Sequence, residues 1–147
     1  MKLSAHGLVV DVPQGWDARI YRRPQAEPNL HAANFPLPLD DGDFGSGALS
    51  TMGPEGIFFA LGEYERSLAG VGLFAPEGLP LPIDRRELSA NALQRRRPGQ
   101  FGVQKFFTAR ERAFCLYVVV GSRPSPNHLV ATANDVLTSV LVEPDEG

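Results

Sequence analysis

The sequence predicts an α+β fold, with a central, mainly antiparallel sheet of about five to seven strands packed against two helices. Three stretches predict it. Residues 113–120 (AFCLYVVV) form the most apolar run in the chain. A strand that is apolar on both faces belongs in the middle of a sheet covered on both sides. Residues 101–109 (FGVQKFFTA) precede it across a short turn, so the two read as a hairpin. After them, Leu129, Ala133, Val136, Leu137 and Val140 recur at helical spacing and form one stripe.

The first strand is expected over residues 8–13, with Leu8, Val10 and Val12 on one face. Pro13 and Gly15 fit the second and fourth positions of a type I turn, after which Trp16 returns to the edge of the core. Residues 17–23 and 30–37 read as two further strands. Pro36 and Pro38 place the end of the second at a sheet edge. Residues 39–56 read as a loop holding Asp40, Asp41, Asp43 and five glycines. The strand over 56–65 sets Ile57, Phe59 and Leu61 against Phe58, Ala60 and Tyr64, so its first half is buried on both faces.

Residues 66–83 are irregular, and a segment that long packs on the body of a domain. A helix is expected over 84–97, capped by Asp84 with Glu87 three residues on and stopped by Pro98 and Gly99. Its apolar stripe, Leu88, Ala92 and Leu93, is thin. The turn at Ala109, Arg110 and Glu111 has no glycine or asparagine, which predicts a longer or bulged loop. Ser125 caps the last helix and Pro126 takes its first position. Asn127, Thr132, Asn134, Asp135 and Thr138 face water, and residues 140–143 finish as a short strand.

A chain of 147 residues suggests one domain over 1–147, with 143–147 as a flexible tail. Such a domain needs neither metal nor disulfide to fold, and the single cysteine, Cys115, rules out an internal disulfide. Within an apolar strand its thiol acts as a small hydrophobe. The first residues show no signal-peptide pattern, and no apolar run approaches the roughly 18 residues that span a bilayer. A soluble, cytoplasmic protein is the expectation.

The common catalytic and metal patterns are missing. The acidic run DDGDFGSG fails calcium-loop spacing, since counting from Asp41 puts Gly45 fifth and Met52 twelfth. His6, His31 and His128 are scattered and read as surface or satisfied residues. Ser46 and Ser50 lack the flanking glycines of a nucleophile elbow, and no glycine-rich phosphate loop occurs. Glu63 and Glu65 share a strand face and read as a solvated strand end. No cofactor or metal is expected.

Charge is segregated. Residues 81–112 hold eight of the 14 basic residues and three of the 17 acidic ones, so the segment is +5 and the rest −8. Arg85, Arg86, Arg95, Arg96 and Arg97 form the candidate binding patch, for an acidic protein partner. The acidity of the remainder argues against nucleic acid. The first expectation is therefore a non-enzymatic binding or assembly module. The alternative is a small-molecule binder or enzyme with a cleft under the 40–56 loop. A homo-oligomeric subunit is a third reading.

The run VDVPQGW (Val10 to Trp16), the late aromatic-rich hairpin and the terminal helix ending LTSV (Leu137 to Val140) resemble the PsbP-like superfamily. That superfamily covers photosystem extrinsic subunits, a Ran-binding protein and many bacterial domains. The resemblance spans about 50 residues at the two ends and implies an antiparallel sheet flanked by helices, in proteins that mostly bind or assemble others. It carries over no functional residue. The composition resembles that of actinobacterial proteins.

Overall fold

A computed structural model describes residues 1–39, 45–93 and 95–144 of the chain. Its strands are β1 (Lys2–Ala5), β2 (Leu8–Asp11), β3 (Asp17–Tyr21), β4 (Asn29–Ala33), β5 (Ile57–Glu63), β6 (Phe101–Ala109), β7 (Arg112–Val120) and β8 (Leu141–Val142). Its helices are α1 (Ser46–Thr51), between β4 and β5, and α2 (Pro126–Leu137), after β7. The expected α+β class is observed, with all strand pairings antiparallel. The strands divide into two sheets, one ordered β1-β2-β8 and one ordered β3-β4-β5-β7-β6.

β7 lies inside the larger sheet, between β5 and β6, and all nine of its residues are buried. Leu116, Val118 and Val120 join Ile57, Phe59 and Leu61 in a core shared with α2 and with Leu8, Val10 and Val142 of the smaller sheet. The opposite faces of β5 and β7 supply Phe58, Ala60, Tyr117 and Val119, which pack against Ala48 and Leu49 of α1. The sheet is thus covered by α2 and the small sheet on one side and by α1 on the other. β5 is buried along its full length, further than its sequence predicted.

Several expectations are corrected. A strand precedes the expected first one: β1 pairs with β2 across His6 and Gly7, both at positive φ. The turn after β2 is shifted by one residue, with the Trp16 N–H donating to the Pro13 carbonyl and Gly15 at φ 89°. A positive φ at the third residue is the type II arrangement, which glycine permits. The β6–β7 turn is neither long nor bulged. Ala109 pairs directly with Arg112, and Arg110 and Glu111 hold φ of 53° and 62°. That is the two-residue hairpin geometry, adopted here without glycine because nine paired residues on each strand impose it.

The helix expected over 84–97 is not formed. Residues 85–87 and 90–92 make separate 3₁₀ turns, with Leu88 and Ser89 extended between them. The Asp84–Glu87 capping box is present, but it caps only a single turn. Ser89 instead exchanges two backbone hydrogen bonds with Gly102 of β6. With so thin an apolar stripe, pairing to the edge strand outcompetes helix propagation. The second helix of the fold is α1, inside the stretch expected to be loop.

Residues 66–83 do pack on the body. Thr108 of β6 donates from its backbone to Pro76, accepts at its carbonyl from Gly78, and donates its hydroxyl to the Phe74 carbonyl. Together with Ser89, these contacts cover the outer edge of β6, which would otherwise present unpaired groups. Asn134 of α2 does not simply face water. Its side-chain amide makes two hydrogen bonds, of 2.8 and 2.9 Å, with the backbone of Ile83. At the chain's end, the Glu143 N–H donates to the Gly7 carbonyl, and 145–147 lie outside the described residues. Among the described residues, no helix is long and apolar enough to cross a membrane.

Candidate functional site

The acidic run at 40–44 lies outside the described residues. Where the 39–56 stretch returns to the sheet, Asn34, Phe35 and residues 53–56 line an open hollow of about 310 Å³. Its polar groups are largely committed to the fold. The Asn34 amide donates to the Glu55 carbonyl and accepts from the Ile57 N–H. The Pro54 carbonyl accepts from the N–H groups of Ser122 and Arg123. Gly121 passes so close that a Cβ there would overlap Pro54. The geometry makes a rigid corner with few polar groups left for a ligand.

A second open hollow, of about 470 Å³, lies at the start of β6 and is lined by Ala90, Pro98, Gly99, Phe101, Arg96, Arg97 and Gln100. Two of the five candidate arginines, Arg96 and Arg97, thus lie here. Arg85 and Arg86 lie further along the same covered edge, next to Glu87, whose carboxylate pairs with Lys105 of β6. Lys105 and Phe101 are four residues apart, so roughly 13 Å of strand separates the two groups.

The cations of the segment are not equivalent. Arg86 forks onto Asp84, with Nη2 at 2.8 Å. That hydrogen bond holds the Asp84 carboxyl down to about 2, so the pair stays charged at any ordinary pH. Lys105, through its hydrogen bond, likewise holds Glu87 below the usual carboxylate range. Among the described residues, Arg85, Arg95, Arg96 and Arg97 form no salt bridge.

Arg112 belongs to neither the patch nor the solvent, and Glu63 is not at a solvated strand end. Both side chains are almost fully buried, and they pair in two parallel hydrogen bonds, Nη2 to Oε1 at 2.6 Å and Nε to Oε2 at 3.1 Å. The remaining donors reach the carbonyls of His6, Gly7 and Glu143. All five guanidinium N–H groups are therefore used. They tie the large sheet to the end of the small one where the β1–β2 turn meets Glu143. Sequence reading missed this because the partners lie 49 positions apart.

Cys115 is fully buried, as expected. Burial pushes its thiol up to about 11, against a weaker opposing hydrogen bond from Gln104. The native protein is expected to resist a disulfide reagent at pH 8, and the urea-unfolded chain to react within minutes. The unfolded thiol ionises near 9 and the folded one near 11, so any stability linked to Cys115 is complete below pH 9 and lost as pH rises between these values. Rapid native labelling at pH 8 would contradict this placement.

His31 is buried against Tyr21 and Phe58, in edge contacts with ring centroids 5.3 and 5.4 Å away. No group of three potential metal ligands occurs among the described residues. The fold and site together define an α+β protein with a clamped pair of antiparallel sheets and an arginine-lined edge. No protein-family model, curated protein or solved structure matches the chain.

Proposed function

We propose that the chain is a non-enzymatic binding or assembly module that docks on an acidic protein partner through the arginines of residues 85–97. One observation carries this reading: Arg85, Arg95, Arg96 and Arg97 lack acidic partners among the described residues, while Arg86, Lys105 and Arg112 of the same segment are each paired. Unpaired cations strung along one covered sheet edge steer an acidic surface onto it. The PsbP-like resemblance supports the same role, as does the antiparallel sheet with a helix on each face. A cytoplasmic setting accords with the one reduced, buried thiol.

The test is affinity capture at about 0.1 and 0.5 M salt, with the chain and with a variant in which Arg85, Arg95, Arg96 and Arg97 are all glutamine. A stoichiometric acidic protein, retained at low salt and lost both at high salt and from the variant, is the expected result. Equal capture by the variant would overturn the reading. A small-molecule site is the second reading, supported by the hollow of about 310 Å³ beside the 40–56 stretch. Its committed polar groups rank it second.

A further inference from the structure

We infer that the hollow at the start of β6 is a subsite for one acidic side chain of a partner polypeptide, taken by Arg96 and Arg97, and for one of its backbone N–H groups, taken by Gln100. This rests on the docking reading above and gives it a location. Arg96 and Arg97 both line the hollow, and neither has a salt-bridge partner among the described residues. Gln100 lines the same hollow and is only 7% exposed. Its Nε2 donates to the Leu49 carbonyl at 3.0 Å, which fixes the amide. Its Oε1 is the one buried side-chain nitrogen or oxygen among the described residues without a hydrogen-bond partner.

Buried carbonyl oxygens are ordinarily satisfied, and an orphan marks a place where a donor is missing. A ligand that satisfies the hollow must therefore bring an anion and an N–H together. An acidic residue within an extended peptide does so, with the carboxylate on its side chain and the N–H on its backbone. Arginine suits the first because its planar fork matches a carboxylate. Phe101 and Pro98 offer apolar surface to the rest of the peptide. Arg85 plays a different part: it lies along the edge, outside the hollow, and contributes long-range attraction only.

Fluorescence anisotropy with a fluorescein-labelled peptide of alternating glycine and glutamate tests this. R96Q and R97Q are each expected to weaken binding at least about tenfold, as loss of a charge-assisted hydrogen bond does. Q100M is expected to weaken it about two- to tenfold, and R85Q by less than about twofold. Thermal unfolding checks that Q100M still folds. Independently of any variant, the Gln100 side-chain amide resonances should shift when the peptide is added and stay still with sodium phosphate at equal ionic strength.

Equal losses from R85Q and R96Q would show diffuse attraction and overturn the subsite. So would failure of the glutamate peptide to bind, equal binding of its glutamine counterpart, or a Gln100 amide that phosphate moves as well. The two proposals fail separately. A captured partner insensitive to R96Q and R97Q but lost with R85Q and R95Q leaves the docking reading and removes the subsite. Peptide binding that follows the expected variants, with no salt-sensitive partner captured, does the reverse.

Discussion

Replacing Arg112 with methionine should remove about 3–5 kcal/mol of stability, because it strands a buried carboxylate. Glu63 has no route to water in the folded chain, and its side chain is 1% exposed. Arg66 approaches its Oε2 only at 3.8 Å. The carbonyls of His6, Gly7 and Glu143 would lose donors as well. For a domain of this size such a loss lowers the midpoint of thermal unfolding by on the order of 10 °C. Arg112→Met combined with Glu63→Leu should recover part of it, since the uncompensated charge is gone while the three carbonyls stay unmet. Arg86→Met, which breaks a pair at the surface, should leave the midpoint nearly unchanged. Urea and thermal unfolding of the three variants decide the matter, and an Arg112→Met midpoint within 1 °C of the parent would refute the clamp.

The same clamp explains why Gly7 is glycine. Its φ is 75°, and a Cβ there would collide with Nη1 of Arg112. The β1–β2 turn can offer its carbonyls to the guanidinium only if it presents a bare backbone. A charged residue between two sheets thus fixes the conformation of a turn more than 100 positions away.

How much of this was legible in the sequence depends on the range of the interaction. β5, β6, β7 and α2 were legible because each carries its own pattern: apolar runs on two faces, or a stripe with a serine cap. β1 was missed, although Gly7 between LSA and LVV is a hairpin signal, because the apolar run that follows drew the first strand to residue 8. Residues 84–97 have local helix signals that are real, down to the capping box, yet Ser89 pairs with Gly102. Local propensity lost there to an edge strand in need of cover. The five patch arginines were readable as charges, but not their division: Asp84 takes Arg86, while Arg96 and Arg97 line a hollow whose remaining walls come from Ala90, residues 98–100 and the first residue of β6. Gln100 carried no signal at all, since an orphaned oxygen exists only once its surroundings are built.

Phe59→Ala is the second large effect, an expected loss of about 3–5 kcal/mol. Phe59 is 0% exposed, and in register it lies between Ala32 of β4 and Val118 of β7. Its ring stands 6.4 Å from that of Trp16. Neither neighbour can fill the space, because an alanine and a strand held on both sides cannot move inward, so the cavity stays open and its cost is paid in full. Trp16 is the sole tryptophan and touches this core, so its fluorescence reports the urea transition directly. Leu73→Ala is the contrast. Leu73 is 69% exposed, and its truncation should fall within about 0.5 kcal/mol of the parent. If Phe59→Ala and Leu73→Ala gave equal losses, the core would not lie between the large sheet, α2 and the small sheet. If they differ as expected, the layer that Arg112 clamps at its rim is also the layer that apolar burial holds at its centre.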